Sequence, residues 1–129
     1  MRGGLVMNAI LQGRSIHIVE DEPLIAMEIV RAFESAGACV LKTSTLHQAL
    51  VLVEEAGLSA AVLDHGLSDG DSSKLCERLK ELSIPFVLHS GYSAVEGACR
   101  DAVFVAKPEN PDVLVTTVEG LLRKHPISQ

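Results

Sequence analysis

The chain has 129 residues, enough for one domain with a single sizeable core; 47% are hydrophobic and the formal net charge is −6. The acidic balance argues against direct nucleic-acid binding, which needs a basic face, and no apolar run is long enough to span a bilayer. Residues 1–8 lack the sustained apolar stretch of a signal peptide, and three cysteines without CxxC spacing (Cys39, Cys76 and Cys99) read as reduced thiols of a cytoplasmic protein.

Residues 1–13 fit no element and are expected to form a flexible extension before a domain at 14–125, with 126–129 as a tail. A first strand is predicted over 16–19. Pro23 then pre-sets the opening turn of a helix whose most buried stripe is Ile25, Ile29 and Phe33, and Gly37 ends it. Residues 38–41 read as a short second strand. Thr45 is placed to cap a second helix carrying Leu46, Ala49, Leu50 and Val53 at helical spacing, which Gly57 stops.

A third strand covers 59–63. The stretch 65–72 reads as a polar loop ending in a helix cap, and the third helix, 73–82, turns Leu75, Leu79 and Leu82 inward. A fourth strand spans 86–89. Residues 91–101 are poorly periodic, carry Gly91 and Gly97, and hold at most a short helix. The fifth strand ends at Ala106, and a final amphipathic helix over 112–124 buries Leu114, Val118, Leu121 and Leu122. Short apolar strands alternating with helix-period segments make this an α/β chain of five βα units around a parallel sheet buried on both faces.

Four of the strands run straight into polar groups. Ile16-His17-Ile18-Val19 leads into Glu20-Asp21-Glu22, and Ala60-Ala61-Val62-Leu63 leads into Asp64. Phe86-Val87-Leu88-His89 leads into Ser90-Gly91, and Val103-Phe104-Val105-Ala106 into Lys107-Pro108. In an open α/β sheet, chemistry gathers outside the carboxyl ends of the strands. An acidic pair, a lone Asp, a hydroxyl and a Lys are thereby expected at one edge.

Through these motifs the chain resembles the receiver domains of two-component response regulators, over residues 15–124. The resemblance implies a doubly wound sheet of order 2-1-3-4-5. Asp64 matches the phospho-accepting aspartate; a carboxylate takes a phosphoryl group when held in line with its charge partly masked. Glu20 and Asp21 match the acidic pair, which beside Asp64 needs a divalent cation to offset repulsion, and hard oxygen donors suit Mg²⁺. Asp21 is then the more direct ligand, Glu20 acts through water, and Gly66 offers its backbone carbonyl. Ser90 matches the hydroxyl that binds a phosphoryl oxygen. Lys107, before Pro108, matches the ammonium that balances developing charge. Phe104 matches the aromatic switch position, with Tyr92 as a second candidate.

The pattern departs from the family in two places. Ser68 stands where the loop after the aspartate usually has a proline, which leaves that loop short of rigidity. Residues 91–106 make a short path between Ser90 and Lys107, so the fourth helix is expected to be short or irregular. The run Leu88-His89-Ser90-Gly91-Tyr92 is similar to that of stand-alone receivers of alphaproteobacterial type. His17, His65 and His89 are read as neutral core residues rather than zinc ligands, because alternation sends His89 to the sheet face opposite Ser90.

The resemblance implies a single-domain phosphoacceptor, not an enzyme, loaded by a sensor histidine kinase or a histidine phosphotransfer protein. It would act on a downstream protein, as a homodimer or as a phosphate sink, without nucleic acid or membrane. Two rivals stand beside it. A pseudo-receiver would keep the fold without phosphorylation and would not bind Mg²⁺. A small Mg²⁺-dependent phosphatase would need a rigidly placed acid shortly after Asp64, and Asp69 is expected in a flexible loop.

Overall fold

A computed structural model describes residues 10–55, 57–64, 66–67, 69–90, 99, 102–107 and 110–124. The elements are β1 (Ser15–Val19), α1 (Pro23–Ser35), β2 (Cys39–Thr43), α2 (Leu46–Glu55), β3 (Ala60–Leu63), β4 (Gly66–Leu67), β5 (Gly70–Asp71), α3 (Ser73–Glu81), β6 (Phe86–Ser90), β7 (Val103–Ala106) and α4 (Pro111–Lys124). Five strands form one sheet in the order β2-β1-β3-β6-β7, and β4 and β5 form a separate two-stranded hairpin. Every pairing in the large sheet is parallel. The strand order 2-1-3-4-5 is therefore present, counting only the strands of this sheet, with four helices among the described residues. The short fourth helix expected over 91–101 falls almost wholly outside the described residues.

Strand alternation builds two cores, one on each face. Ile16, Ile18, Ala60, Val62, Val87 and Val105 face α1 and α4, where Ile29, Phe33, Leu114, Val118 and Leu122 pack against them. Val19, Ala61, Leu63, Phe86 and Leu88 face α2 and α3, meeting Ala49, Val53, Leu75 and Leu79. Phe33 has no exposed surface, and burying such a side chain stabilises the fold by about 2–3 kcal/mol.

In α1 Ile29 and Phe33 are buried as expected and Ile25 packs, partly buried, against the same core, while Ala26 is buried as well. Leu82, expected inward, lies just past the end of α3 and is 36% exposed. The chain leaves the helix there, with Ser83 at φ 59°.

Packing also begins earlier than residue 14. Residues 10–13 make a turn that buries Leu11 completely. Gly13 N–H donates to the Gly37 carbonyl at 2.9 Å, and Gly37, at φ +94°, reverses the chain after α1. The turn thereby closes the end of the α1 core.

The expectation of three reduced thiols is overturned. Cys76 and Cys99 form a disulfide across a sequence separation of 23, and Cys39 alone is free and exposed. No local spacing announces that pair, because the packing of α3 against the chain before β7 brings it together. No helix among the described residues is long and apolar enough to cross a membrane.

Candidate functional site

The carboxyl ends of β1, β3, β6 and β7 deliver the polar groups, and backbone hydrogen bonds between neighbouring strands hold those ends in register. Glu20 N–H donates to the Thr43 carbonyl at 3.1 Å and Asp64 N–H to the Val19 carbonyl at 2.9 Å. Lys107 N–H donates to the Ser90 carbonyl at 2.9 Å. Each residue one step past a strand is thus still ordered by the ladder, and its side chain points out of the sheet edge from a fixed origin.

Lys107 links the two sides of the pocket. Its Nζ lies 3.1 Å from Glu20 Oε1 and 3.3 Å from Asp64 Oδ2. The Glu20 side chain is 1% exposed, that of Asp64 8% and that of Lys107 20%, so the acids lie beneath the ammonium. The remaining carboxylate oxygens are also engaged. Glu20 Oε2 accepts Glu22 N–H at 3.1 Å, and Asp64 Oδ1 accepts Gly66 N–H at 3.1 Å. Asp64 is therefore oriented from both sides.

Burial, and then the charge of Asp64, push the Glu20 carboxyl up to about 7, against the pull of its hydrogen bond from Glu22 and of Lys107. Burial works against the Lys107 ammonium, but the charges of Asp64 and Glu20 outweigh it and hold its pKa above the ordinary lysine value.

Glu20, Asp21 and Asp64 each bring a carboxylate oxygen to within 4.8 Å of the others. Three hard anionic donors converging on one point, two of them buried, fit a small divalent cation of the Mg²⁺ kind. No histidine belongs to this cluster among the described residues. His17 instead sits fully buried in β1 with Nε2 2.9 Å from Thr43 Oγ1, and burial lowers its pKa to about 4, so it is neutral. His89 is likewise buried in β6.

Ser90 ends β6, the neighbour of β3, and is 1% exposed. Phe104 lies in β7 opposite Leu88 and packs, partly buried, against the core beneath α2 and α3. Tyr92, with Gly91, His65, Ser68 and Pro108, lies outside the described residues.

The loop after Asp64 corrects the expectation of flexibility. It contains the β4–β5 hairpin and buries Leu67, and the Asp69 carboxylate reaches across to the N-terminus of α2. Asp69 Oδ1 accepts Leu46 N–H at 2.8 Å and Oδ2 accepts His47 N–H at 3.1 Å. Thr45 Oγ1 accepts Gln48 N–H at 3.1 Å, so α2 is capped both by its expected residue and by one from a distant loop. Sequence reasoning missed this role of Asp69. The Asp69-Gly70 dipeptide, a turn signal, carried the only hint of the hairpin.

The sequence matches the family model for the response regulator receiver domain over residues 16–119. No protein of curated function matches it. Among solved structures it is similar to SdrG from Sphingomonas melonis Fr1, at 36% identity over 85% of this chain and 97% of that one, with a TM-score of 0.73. A CheY-like response regulator receiver domain protein from Methanospirillum hungatei JF-1 aligns at 25% identity over 88% and 96% of the two chains, with a TM-score of 0.79. A response regulator receiver protein from Sinorhizobium medicae WSM419 aligns at 25% identity over 88% and 97%, with a TM-score of 0.77.

Proposed function

The chain belongs to the response regulator receiver domain family, and we propose that it is a single-domain receiver that accepts a phosphoryl group on Asp64 from a histidine kinase or histidine phosphotransfer protein. The observation that carries this reading is the position of Asp64, held at Oδ1 by Gly66 N–H and faced at Oδ2 by the Lys107 ammonium.

In the transfer an Asp64 carboxylate oxygen forms the new bond to phosphorus as the donor's phosphorus–nitrogen bond breaks, and the released imidazole nitrogen takes up a proton from water. Glu20, Asp21, Asp64 and the Gly66 carbonyl would hold Mg²⁺, which neutralises charge on the phosphoryl oxygens. Lys107 exchanges part of its pairing with Asp64 for a phosphoryl oxygen, so the positive charge stays in the site as the acceptor is consumed. Ser90 donates its hydroxyl to another phosphoryl oxygen, and Phe104 follows the displacement of β6. Hydrolysis returns Asp64. The protein works in the cytoplasm as a phosphoacceptor, not as an enzyme acting on an added substrate, and its output is a changed surface for a partner protein or the draining of a kinase.

The test is an intact-mass measurement after adding a small-molecule phosphodonor and Mg²⁺, with Asp64→Ala alongside. Gain of one phosphoryl group that requires both Mg²⁺ and Asp64 supports the reading. No gain, with a control receiver labelled by the same donor and no binding of a beryllofluoride mimic, favours a binding module that works without phosphorylation.

A further inference from the structure

We propose that Cys76 and Cys99 form a reversible thiol–disulfide site whose oxidation ties α3 to the residue leading into β7 and Lys107, and so opposes the phosphoryl-bound state. The coupling to phosphorylation rests on the receiver reading above; the pairing does not.

The two cysteines are bonded with their Cα atoms 5.4 Å apart, and both are fully buried. They lie in the core beneath α2 and α3, with Leu75, Leu79, Leu88 and Phe104 in the same cluster. Cys39 is exposed on β2, the opposite edge of the sheet from β7, and is no competitor for either sulfur within one chain. Burial in an apolar core suits a thiol as well as a disulfide. The reduced form also has a partner in place, because the Ser72 carbonyl lies 3.6 Å from Cys99 Sγ. A reduced Cys99 thiol therefore has an acceptor within reach.

The position of the bond gives it consequence. Cys76 belongs to α3, the helix that follows the Asp64 loop, and Cys99 belongs to the stretch joining Ser90 to Lys107. A bond between them ties α3 to Cys99, whose carbonyl accepts Ala102 N–H at 3.1 Å just ahead of β7 and Lys107. Lys107 follows β7 and pairs with Asp64, so a phosphoryl group arriving on Asp64 shifts Lys107 and the strand that carries it. With thiols, Cys99 can follow β7 without α3. With the bond made, the shift must carry α3 and its core residues Leu75 and Leu79.

The chemistry is thiol–disulfide exchange with a small disulfide oxidant. Once local opening exposes one sulfur, its thiolate attacks a sulfur of the oxidant, whose own S–S bond breaks, giving a mixed disulfide. The second thiolate attacks the protein sulfur of that mixed disulfide and expels the reagent as a dithiol. Two electrons pass from the cysteines to the reagent, and the two thiol protons end on its sulfurs. By linkage, if oxidation weakens phosphoryl binding, phosphoryl binding must hinder oxidation by the same factor.

The folded full chain is equilibrated in a series of reduced-to-oxidised dithiothreitol ratios, with Mg²⁺ and with or without beryllofluoride. Samples are quenched in acid, alkylated in denaturant and counted for labels by intact mass. We expect three labels at the reducing end and one at the oxidising end, with Cys39→Ser changing these to two and none. Beryllofluoride should shift the midpoint toward more oxidising mixtures by roughly fivefold. Three labels at every ratio, or a loss of labels abolished by Cys39→Ser, overturns the pairing. An unmoved midpoint with the mimic bound overturns the coupling while the receiver reading stands. Failure of the mimic to bind either redox form removes the receiver reading and the coupling with it, and the label count still decides the pairing.

Discussion

The Asp69 carboxylate accepts the backbone N–H of Leu46 at 2.8 Å, joining the loop after Asp64 to the first turn of α2. The first amides of a helix have no partner within it, and an anionic oxygen there also meets the positive end of the helix dipole. Those backbone hydrogen bonds, first the one from Leu46 and then the one from His47, hold the Asp69 carboxyl below the usual aspartate range. Both of its oxygens are engaged on the α2 backbone, so it is not placed as the general acid that a phosphatase reading would call on.

Asp69→Ala should loosen the β4–β5 hairpin and with it Gly66, whose N–H orients Asp64. We expect Mg²⁺ affinity to fall roughly tenfold, measured by calorimetric titration, with Asp69→Asn intermediate because one acceptor oxygen remains. Unchanged affinity in the alanine variant would show that the hairpin holds its place without this contact.

Lys107→Ala should separate two effects. Without a competing ammonium against Glu20 and Asp64, Mg²⁺ should bind tighter, by about fivefold or ~1 kcal/mol for one partly exposed charge. Phosphoryl acceptance from a small donor should slow, because the charge that balances the phosphoryl group is gone. Weaker Mg²⁺ binding would mean that Lys107 organises the carboxylates more than it competes with the cation.

His17 should make stability pH-dependent. Its pKa is lowered from 6.5 to about 4, so between these values the unfolded chain binds the proton and the folded chain does not. The contribution is complete above pH 6.5 and is lost as pH falls toward 4, by about 3 kcal/mol. Glu20, raised to about 7, acts with the opposite sign as it takes up a proton on acidification. The difference between wild type and His17→Gln in urea unfolding, measured in Mg²⁺-free buffer from pH 7 to 4, isolates the histidine. That difference should change in the variant's favour as pH falls, and a pH-independent difference would refute the assignment.

The disulfide should also be visible in stability. Closing a loop with a sequence separation of 23 removes unfolded-state entropy equivalent to about 3 kcal/mol. Thermal unfolding of the fully oxidised chain should then lie roughly 10 °C above that of the reduced chain. Cys76→Ser should behave as the reduced protein under both conditions.

Much of this molecule is legible in its residues. Short apolar runs such as Ile16-His17-Ile18-Val19 and Ala60-Ala61-Val62-Leu63 can be buried only as strands covered on both faces, and the helix-period segments between them supply the covers. The same periodicity places Glu20, Asp64, Ser90 and Lys107 at strand ends, because each follows an apolar run at once. Pro23 and Gly37 bracket α1 through backbone constraints that act locally. Only the tertiary structure decided the rest. Leu11 enters the core because a turn docks on Gly37, and Leu82 leaves it because the chain bends away after α3. Asp69 caps a helix that begins 23 residues earlier in sequence. Cys76 meets Cys99 because α3 packs on the chain before β7. None of these contacts has a local period or spacing, since each joins surfaces that become neighbours only after the sheet has closed its two cores.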